Sequence, residues 1–453
     1  MPEWKVGEQF TVEITGLSHE GAGVGRVDGR VVFIPGSLPG DMIRMALTEV
    51  KRRFAQGRLL EIIIASPQRI APGCAHAPGC GGCQLQHLDY KAQLEWKRQL
   101  IQDAMQRIGG LDVPVLPTRG MDNPYFYRNK SQLPVGRQGD QAALGFFAKG
   151  SHEIVDVAEC QIQHPLITKL ALAVKEAVID LKIEPYEWAG QSGTLRHAVI
   201  RASFAENKLM LILVTRTNEL PRQEELVSRL TAEVPELVSI VHNVNHQAAS
   251  IVLGRKTAVI WGESYLTETI GQLKYAISPQ SFFQINSIQT KVLYDLVQRK
   301  MALTGTETIL DLYCGAGTIG LYLAQNARKV IGVEAVAAAV RDARRNAELN
   351  GIDNARFIHG RAEEEVPKLI SRYQVDAVVV DPPRQGCDGA VLQTLLAARI
   401  HKIVYVSCNP ATLARDLAVL SQGGYMVGKS QPLDMFPWTS HVECTVLMSL
   451  GDR

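Results

Sequence analysis

The feature that most constrains this chain is the alternation of strand and helix in its last third. From about Ser278, short apolar runs end in polar or glycine-rich loops, each followed by a helical segment. TILDLYC precedes a helix from Thr318, KVIGVEA precedes VAAAVRDARRNAELNG, and ARFIHG precedes EEEVPKLISRY. DAVVVDPPR and KIVYVSCNP, the latter before ATLARDLAVLSQGG, complete the series. Repeated strand–helix–strand units predict an α/β fold with a parallel sheet covered on both faces, Rossmann-like, binding ligands at the carboxyl ends of its strands. The chemistry is therefore expected in the loops after those strands.

The rest of the chain reads differently. Residues 5 to about 66 are short alternating strands with Gly-rich turns (EQFTVEITGL, GVGRVDGRVVFIPG, DMIRMALTEVKRR, GRLLEIIIA), a pattern that predicts a small barrel of about five strands. Pro67 and APGCAHAPGCGGC break it, and a helix is expected over Lys91–Ile108 with Leu100, Ala104, Met105 and Ile108 on one side. From Tyr125 to Ala276 strands outnumber helices, as in an α+β domain. At 453 residues the chain exceeds one ordinary core. The expected division is a barrel over 1–66, a central α+β domain over 67–277 and the α/β domain over 278–453.

A net charge of +2 does not by itself argue for nucleic acid, and Lys51–Arg53 and Arg341, Arg344 and Arg345 read as solvated surface. The first twenty residues lack the apolar stretch of a signal peptide and no run reaches membrane-spanning length, so a cytoplasmic protein with no membrane association is expected.

Asp311–Thr318 (DLYCGAGT) follows an apolar strand and opens a helix, so Gly315 and Gly317 let the backbone approach a ligand closely. The next strand ends in Glu334, 23 residues after Asp311, where a carboxylate can accept two hydrogen bonds from a ribose diol. The three-glycine fingerprint of a dinucleotide site is missing. S-adenosylmethionine, which has no pyrophosphate to cradle, is the expected cofactor. Asp381 ends the fourth strand as DPPR, within reach of cofactor or target base.

Val406–Pro410 (VSCNP) ends the fifth strand before a helix and sets Cys408 among the same loops; the nearby helix N-terminus is expected to lower its pKa. A thiolate there suits methylation of uracil at C5, a poor nucleophile in the resting ring. Addition of the thiolate to C6 makes an enolate whose C5 can attack a methyl sulfonium. A base must then remove the C5 proton so that loss of the thiol restores the ring. Glu443, in HVECT of the last strand, is the candidate base.

Of the eight cysteines, Cys314, Cys387 and Cys444 read as buried small hydrophobes, and disulfides are not expected in a reducing compartment. Cys74, Cys80 and Cys83 in a Gly/Pro-rich loop, with Cys160 after HEIVDVAE, read as a metal site. Four thiolates can hold a [4Fe-4S] cluster or tetrahedral zinc, and spacing alone does not decide. A saturated four-thiolate site favours a structural role.

Together the N-terminal barrel, the Cys74-x5-Cys80-Gly-Gly-Cys83-Gln-Leu-Gln-His signature, Ser-Cys-Asn-Pro and the final His-Val-Glu resemble the RNA uracil-C5 methyltransferases, in particular the group modifying 23S ribosomal RNA. The resemblance spans essentially the whole chain. It implies a class I methyltransferase domain behind an OB-like TRAM barrel, with Cys74, Cys80, Cys83 and Cys160 as [4Fe-4S] ligands. It further implies Gln284 (in SFFQIN), Tyr313, Glu334 and Asp381 as cofactor contacts, Cys408 as nucleophile and Glu443 as proton acceptor. Some relatives have Asn at Thr318 and near Arg361, and those positions are not carried over. The tRNA-modifying branch usually lacks barrel and cluster, so 23S ribosomal RNA is the expected partner, with no obligate protein partner. The target uridine must turn out of its stack to reach Cys408. Phe282, Phe283 and Tyr125–Tyr127 offer stacking surfaces, although core packing is expected of each.

Three other readings compete, one of them cytosine C5 methylation, whose familiar RNA enzymes carry a second motif cysteine in Pro-Cys that is absent here. Amino-group methyltransferases also use Asp-Pro-Pro but follow it with an aromatic residue, where this chain has Arg384. A non-catalytic iron–sulfur RNA-binding factor would not need Glu334, Asp381, Cys408 and Glu443 intact.

Overall fold

The computed structural model describes residues 4–139, 141–188, 190–247 and 251–451. Strands β1 (Gln9–Leu17), β2 (Gly23–Val27), β3 (Arg30–Ile34), β4 (Met42–Val50) and β5 (Phe54–Ile64) close into a barrel in the order β1-β2-β3-β5-β4. Alternate residues point inward, so Val12, Ile14, Val32, Ile34, Ile43, Met45 and Leu47 fill it. The β1–β2 pairing needs glycine at Gly25, where a Cβ would overlap a Val12 methyl and stand 2.9 Å from the Glu13 carbonyl oxygen.

After α1 (Tyr90–Arg107), a seven-stranded sheet forms from β6 (Lys130–Gln138), β7 (Gln141–Phe147), β8 (Ile154–Asp156), β9 (Leu195–Ala202), β10 (Leu209–Thr215), β11 (Leu237–Val244) and β12 (Lys256–Gly262). Its order is β12-β11-β10-β9-β6-β7-β8, with only β10 and β11 parallel. Helices α2 (Pro165–Asp180) and α3 (Gln223–Glu233) cover one face. This is the mixed α+β architecture expected.

The hairpin β13 (Leu266–Ile270) and β14 (Leu273–Ile277) leads through α4 (Ser287–Met301) to the predicted alternation: β15 (Thr308–Leu312), α5 (Thr318–Ala324), β16 (Lys329–Glu334), α6 (Ala337–Leu349), β17 (Ala355–His359), α7 (Ala362–Arg372), β18 (Ala377–Val380), α8 (Gly389–Ala398), β19 (Lys402–Ser407) and α9 (Pro410–Gln422). The chain closes with β20 (Tyr425–Val427), β21 (Gln431–Leu433) and β22 (Glu443–Leu450). The sheet order is β17-β16-β15-β18-β19-β22-β20, with β21 also paired to β22. The first five neighbours are parallel and β22 is antiparallel. Strand order reverses between β15 and β18, the topological switch point where such sheets bind ligands. Successive residues of β15 serve opposite faces, Ile309 packing with α4 and the hairpin, Leu310 and Leu312 with α1 and α9.

Helix α1 departs from expectation. Its buried stripe is Gln93, Lys97, Ile101, Ala104 and Met105, while Ile108 caps its end and is 54% exposed. Polar residues on the buried side obscure the apolar period. Lys97 can be buried because its ammonium meets Asp434 at 2.6 Å, and Gln93 donates to the Leu85 and Leu88 carbonyls. Ile101, Ala104 and Met105 thereby join the core of the C-terminal sheet, as do Ile270, Leu273, Tyr275 and Ile277 of the hairpin. Among the described residues no helix is long and apolar enough to cross a membrane.

Candidate active site

At the carboxyl ends of the parallel strands lies a cavity of about 1510 Å³, and Gln284, Tyr313, Gly315, Glu334, Asp381, Cys408 and Glu443 all line it. The β15–α5 turn passes through left-handed backbone at Tyr313 (φ 63°), Gly315 (φ 54°) and Gly317 (φ 77°). A Cβ on Gly315 would meet nothing within 4 Å, so that turn faces open space. Glu334 ends β16 with both oxygens fixed, one by the Gly315 N–H at 3.0 Å and the other by the Val336 N–H at 2.8 Å. Each oxygen keeps a further lone pair for a ligand hydroxyl. Gln284 is buried, its carbonyl held by the Asn129 amide.

Asp311, singled out only as the start of the motif, is fully buried; one oxygen accepts the Gly320 N–H at 2.8 Å and the other has no partner among the described residues. Burial pushes its carboxyl up to about 8. Asp381, after β18, is pushed up to about 7 by the same cause.

The β19–β22 register sets Cys408 and Glu443 side by side. Ser407 lies opposite Cys444, and continuing by one residue sets Cys408 opposite Glu443. Glu443 is buried with one oxygen unpartnered among the described residues, and burial, reinforced by the charge of Asp381, holds it protonated well above the usual carboxylate range.

The thiol of Cys408 is pushed up to about 11, by burial and then by the charges of Glu443 and Asp381, against a smaller opposite pull from Arg384. The expected lowering by the helix N-terminus does not occur. Pro410 has no N–H to offer and Asn409 caps the next one, at Ala411, with its own side chain (3.0 Å), while two buried carboxyls face the sulfur.

Asn409 is a positioning residue that sequence reasoning missed. Its amide also donates to the Arg384 carbonyl (2.8 Å), tying the Cys408 loop to the Asp381–Arg384 loop. An Asn immediately before a Pro at a helix start was the available signal. His441 and Phe436 also line the cavity without having been anticipated. Burial, then the charges of Arg384, Lys97 and Arg128, push His441 down to about 4, so it is neutral near pH 7. Of the aromatic residues expected in the core, Phe283 and Tyr127 are there, but Phe282 is 69% exposed on the cavity wall and Phe126 is 43% exposed.

The chain as a whole has matches among known proteins. Residues 89–450 match the tRNA (Uracil-5-)-methyltransferase family. The chain belongs to that uracil-5-methyltransferase family. Residues 3–60 of this methyltransferase match the TRAM domain, in agreement with the closed barrel. It is 47% identical over 449 residues to an uncharacterized RNA methyltransferase of Halalkalibacterium halodurans, covering 98% of each chain. It is 43% identical to another from Clostridium tetani, covering 99% of this chain and 98% of that one. Among solved structures it is similar to the Pyrococcus abyssi tRNA (uracil-54, C5)-methyltransferase in complex with S-adenosyl-L-homocysteine. That match has a TM-score of 0.78 and 31% identity and covers 97% of this chain and all of the other.

Outside the cavity, Cys74, Cys80, Cys83 and Cys160 are half-buried free thiols, while Cys314, Cys387 and Cys444 are buried as expected. The first four lie close enough for the charges of neighbouring thiols to reinforce the burial that pushes Cys80 and Cys160 up and Cys83 up to about 12. Gly82 N–H donates to the Cys80 sulfur at 3.4 Å and the Gln86 amide to the Cys83 sulfur at 3.5 Å. Among the described residues, however, no three His, Cys, Asp or Glu side chains converge closely enough to hold a metal ion.

Proposed function

We propose that this methyltransferase transfers a methyl group from S-adenosylmethionine to C5 of a uridine in RNA through a covalent bond between Cys408 and C6. The observation that carries this reading is Cys408 facing Glu443 in the cavity that Gly315 and Glu334 also line. S-adenosylmethionine supplies the methyl as a sulfonium. Glu334 would hold its ribose, with Gln284 and Tyr313 as further contacts, and positive charge there offsets the carboxyls that keep Cys408 protonated. The Cys408 thiolate bonds to C6 and pushes electrons onto O4. C5 of the enolate takes the methyl group. Glu443, held protonated by burial, gives its proton up to solvent as the sulfonium's positive charge enters the cavity; ionised, it then removes the C5 proton, the S–C6 bond breaks, and the C5–C6 double bond returns. Phe282, exposed on the wall, is the candidate to stack on the turned-out base.

RNA carrying 5-fluorouridine tests the covalent step, because fluorine cannot leave as a proton and the adduct accumulates. The expected result is a denaturation-stable protein–RNA species with wild type and none with Cys408→Ala. A wild-type protein that methylates uridine RNA but never forms the species rules out the adduct.

The four half-buried thiols are proposed to hold a [4Fe-4S] cluster in a structural role. N–H donors aimed at Cys80 and Cys83 resemble the sulfur hydrogen bonds of such clusters. Iron and sulfide in anaerobically purified protein are the check. The barrel over 1–66 would grip single-stranded RNA, the central unit over 67–277 would carry the cluster, and 278–453 would carry the chemistry, in a cytoplasmic enzyme.

The target proposed is 23S ribosomal RNA. A second reading, tRNA, has support from the Pyrococcus abyssi structure, whose name specifies tRNA and whose match spans 97% of this chain. Methylation of 23S RNA and of tRNA by the same preparation decides between them.

A further inference from the structure

Beside the thiol loop is a second cavity, of about 450 Å³, lined by Gly81, Gly82, Phe147, Lys149, Gly150 and His152, among others. Its wall is an aromatic stack. The exposed His152 ring lies parallel to Trp188 (5.7 Å, 14°), and Phe147 stands edge-on to both at 5.2 and 5.1 Å. Behind Trp188 the Tyr186 and His197 rings pack edge-on, and the buried Arg196 guanidinium lies over Tyr186 and Trp188. The stack is thus braced from the interior. The floor is glycine backbone, with Gly81 N–H bonded to the Phe147 carbonyl at 3.0 Å. Lys149, at the rim, forms no ion pair within 4.0 Å among the described residues.

The position of this cavity indicates its occupant. Gln84 donates to the Gly81 carbonyl at 2.9 Å and accepts from the Ser440 N–H at 3.4 Å, so one side chain links the cavity floor to the segment entering the active site at His441. The barrel meets the same seam, since a Cβ on Gly21 would touch Leu85, Gln84 and Ser440. Barrel, thiol loop and catalytic cavity converge on this seam.

We propose that this second cavity binds an unpaired nucleotide of the substrate RNA next to the target uridine, with its base on the His152–Phe147 wall and its phosphate at Lys149. The proposal rests on the RNA-methylating function above. A π-face, a cation and close-approach backbone are the parts of a sequence-tolerant single-strand site.

The test is the full protein and its Lys149→Ala/His152→Ala variant, measured for affinity to a short oligouridylate and for methylation of the RNA that the wild type accepts. The expected result is a loss of affinity and a rise in KM of roughly tenfold or more, with kcat at saturating RNA and affinity for S-adenosylmethionine unchanged. His152→Tyr, which keeps a stacking ring, restores most of the loss. Unchanged affinity and KM, or a fall in kcat alone, overturns the subsite. Absence of C5 methylation by wild type is a failure of the enzymatic reading instead, and the oligouridylate arm still decides the subsite in that case.

Discussion

The molecule has two sets of thiols, and they are built in opposite ways. Cys408 sits where a parallel strand ends, and its partner Glu443 begins the neighbouring antiparallel strand, so the sheet's hydrogen-bond register fixes their relation. Cys74, Cys80 and Cys83 sit between β5 and α1 in irregular backbone, touching the central sheet through the isolated Cys80–Ala148 bridge. Burial raises the Cys408, Cys80 and Cys83 pKa values alike. Strand register alone sets Cys408 and Glu443 opposite one another. Among the described residues the loop thiols converge on no single ion, and no sheet register fixes Cys74, Cys80 and Cys83.

The sharpest way to break this comparison is Glu443→Gln. Turnover is expected to fall by about 10²–10⁴, while a Cys408-linked methylated adduct accumulates on ordinary uridine RNA, because nothing removes the C5 proton. Loss of turnover without an adduct would place Glu443 elsewhere in the reaction.

Next in size is Lys97→Met. It strands Asp434, which is fully buried, and removing one partner of such a pair costs about 3–5 kcal/mol. Chemical denaturation should show that loss, and Lys97→Met combined with Asp434→Asn should recover much of it. No recovery would mean that the pair does more than neutralise charge.

Cys83→Ala is expected to abolish iron binding and loosen the loop, read as faster proteolysis between Cys74 and Cys83, whereas Cys444→Ala leaves iron content unchanged. Equal iron content in both variants would refute the cluster.

The smallest effects are in pH. Because the Cys408 thiol is pushed up to about 11, thiolate is scarce near neutrality and kcat/KM should rise with pH over about 6–9. Asp311, at about 8 when folded against an ordinary 3.8, takes up a proton on folding at pH values between those two. Its contribution is therefore most favourable below the lower value and is lost as pH rises toward the upper one. Asp311→Asn should flatten that slope in thermal unfolding measured without ligand.

What was legible in the sequence follows the same division. β18, wholly buried, reads as an apolar run, and the acids, glycines and cysteine at strand ends can be placed from the sequence. Gln284 carried no local pattern and came only from the family resemblance. The span of helix α1 and the burial of Ala104 and Met105 were legible, but the rest of its packed face was not, because Gln93 and Lys97 are buried against partners more than 300 residues distant in Lys97's case, information no local periodicity holds. The direction of the Cys408 shift was missed for the same reason, since Asp381 and Glu443 approach it only through the fold.

The most direct measurement is release of tritium from RNA labelled at uridine C5, with S-adenosylmethionine and either wild type or Cys408→Ala. Release by wild type, matched to methyl transfer, with none by the variant, is the predicted result. Methyl transfer without tritium release, or equal release by Cys408→Ala, would contradict covalent C5 methylation by this thiol.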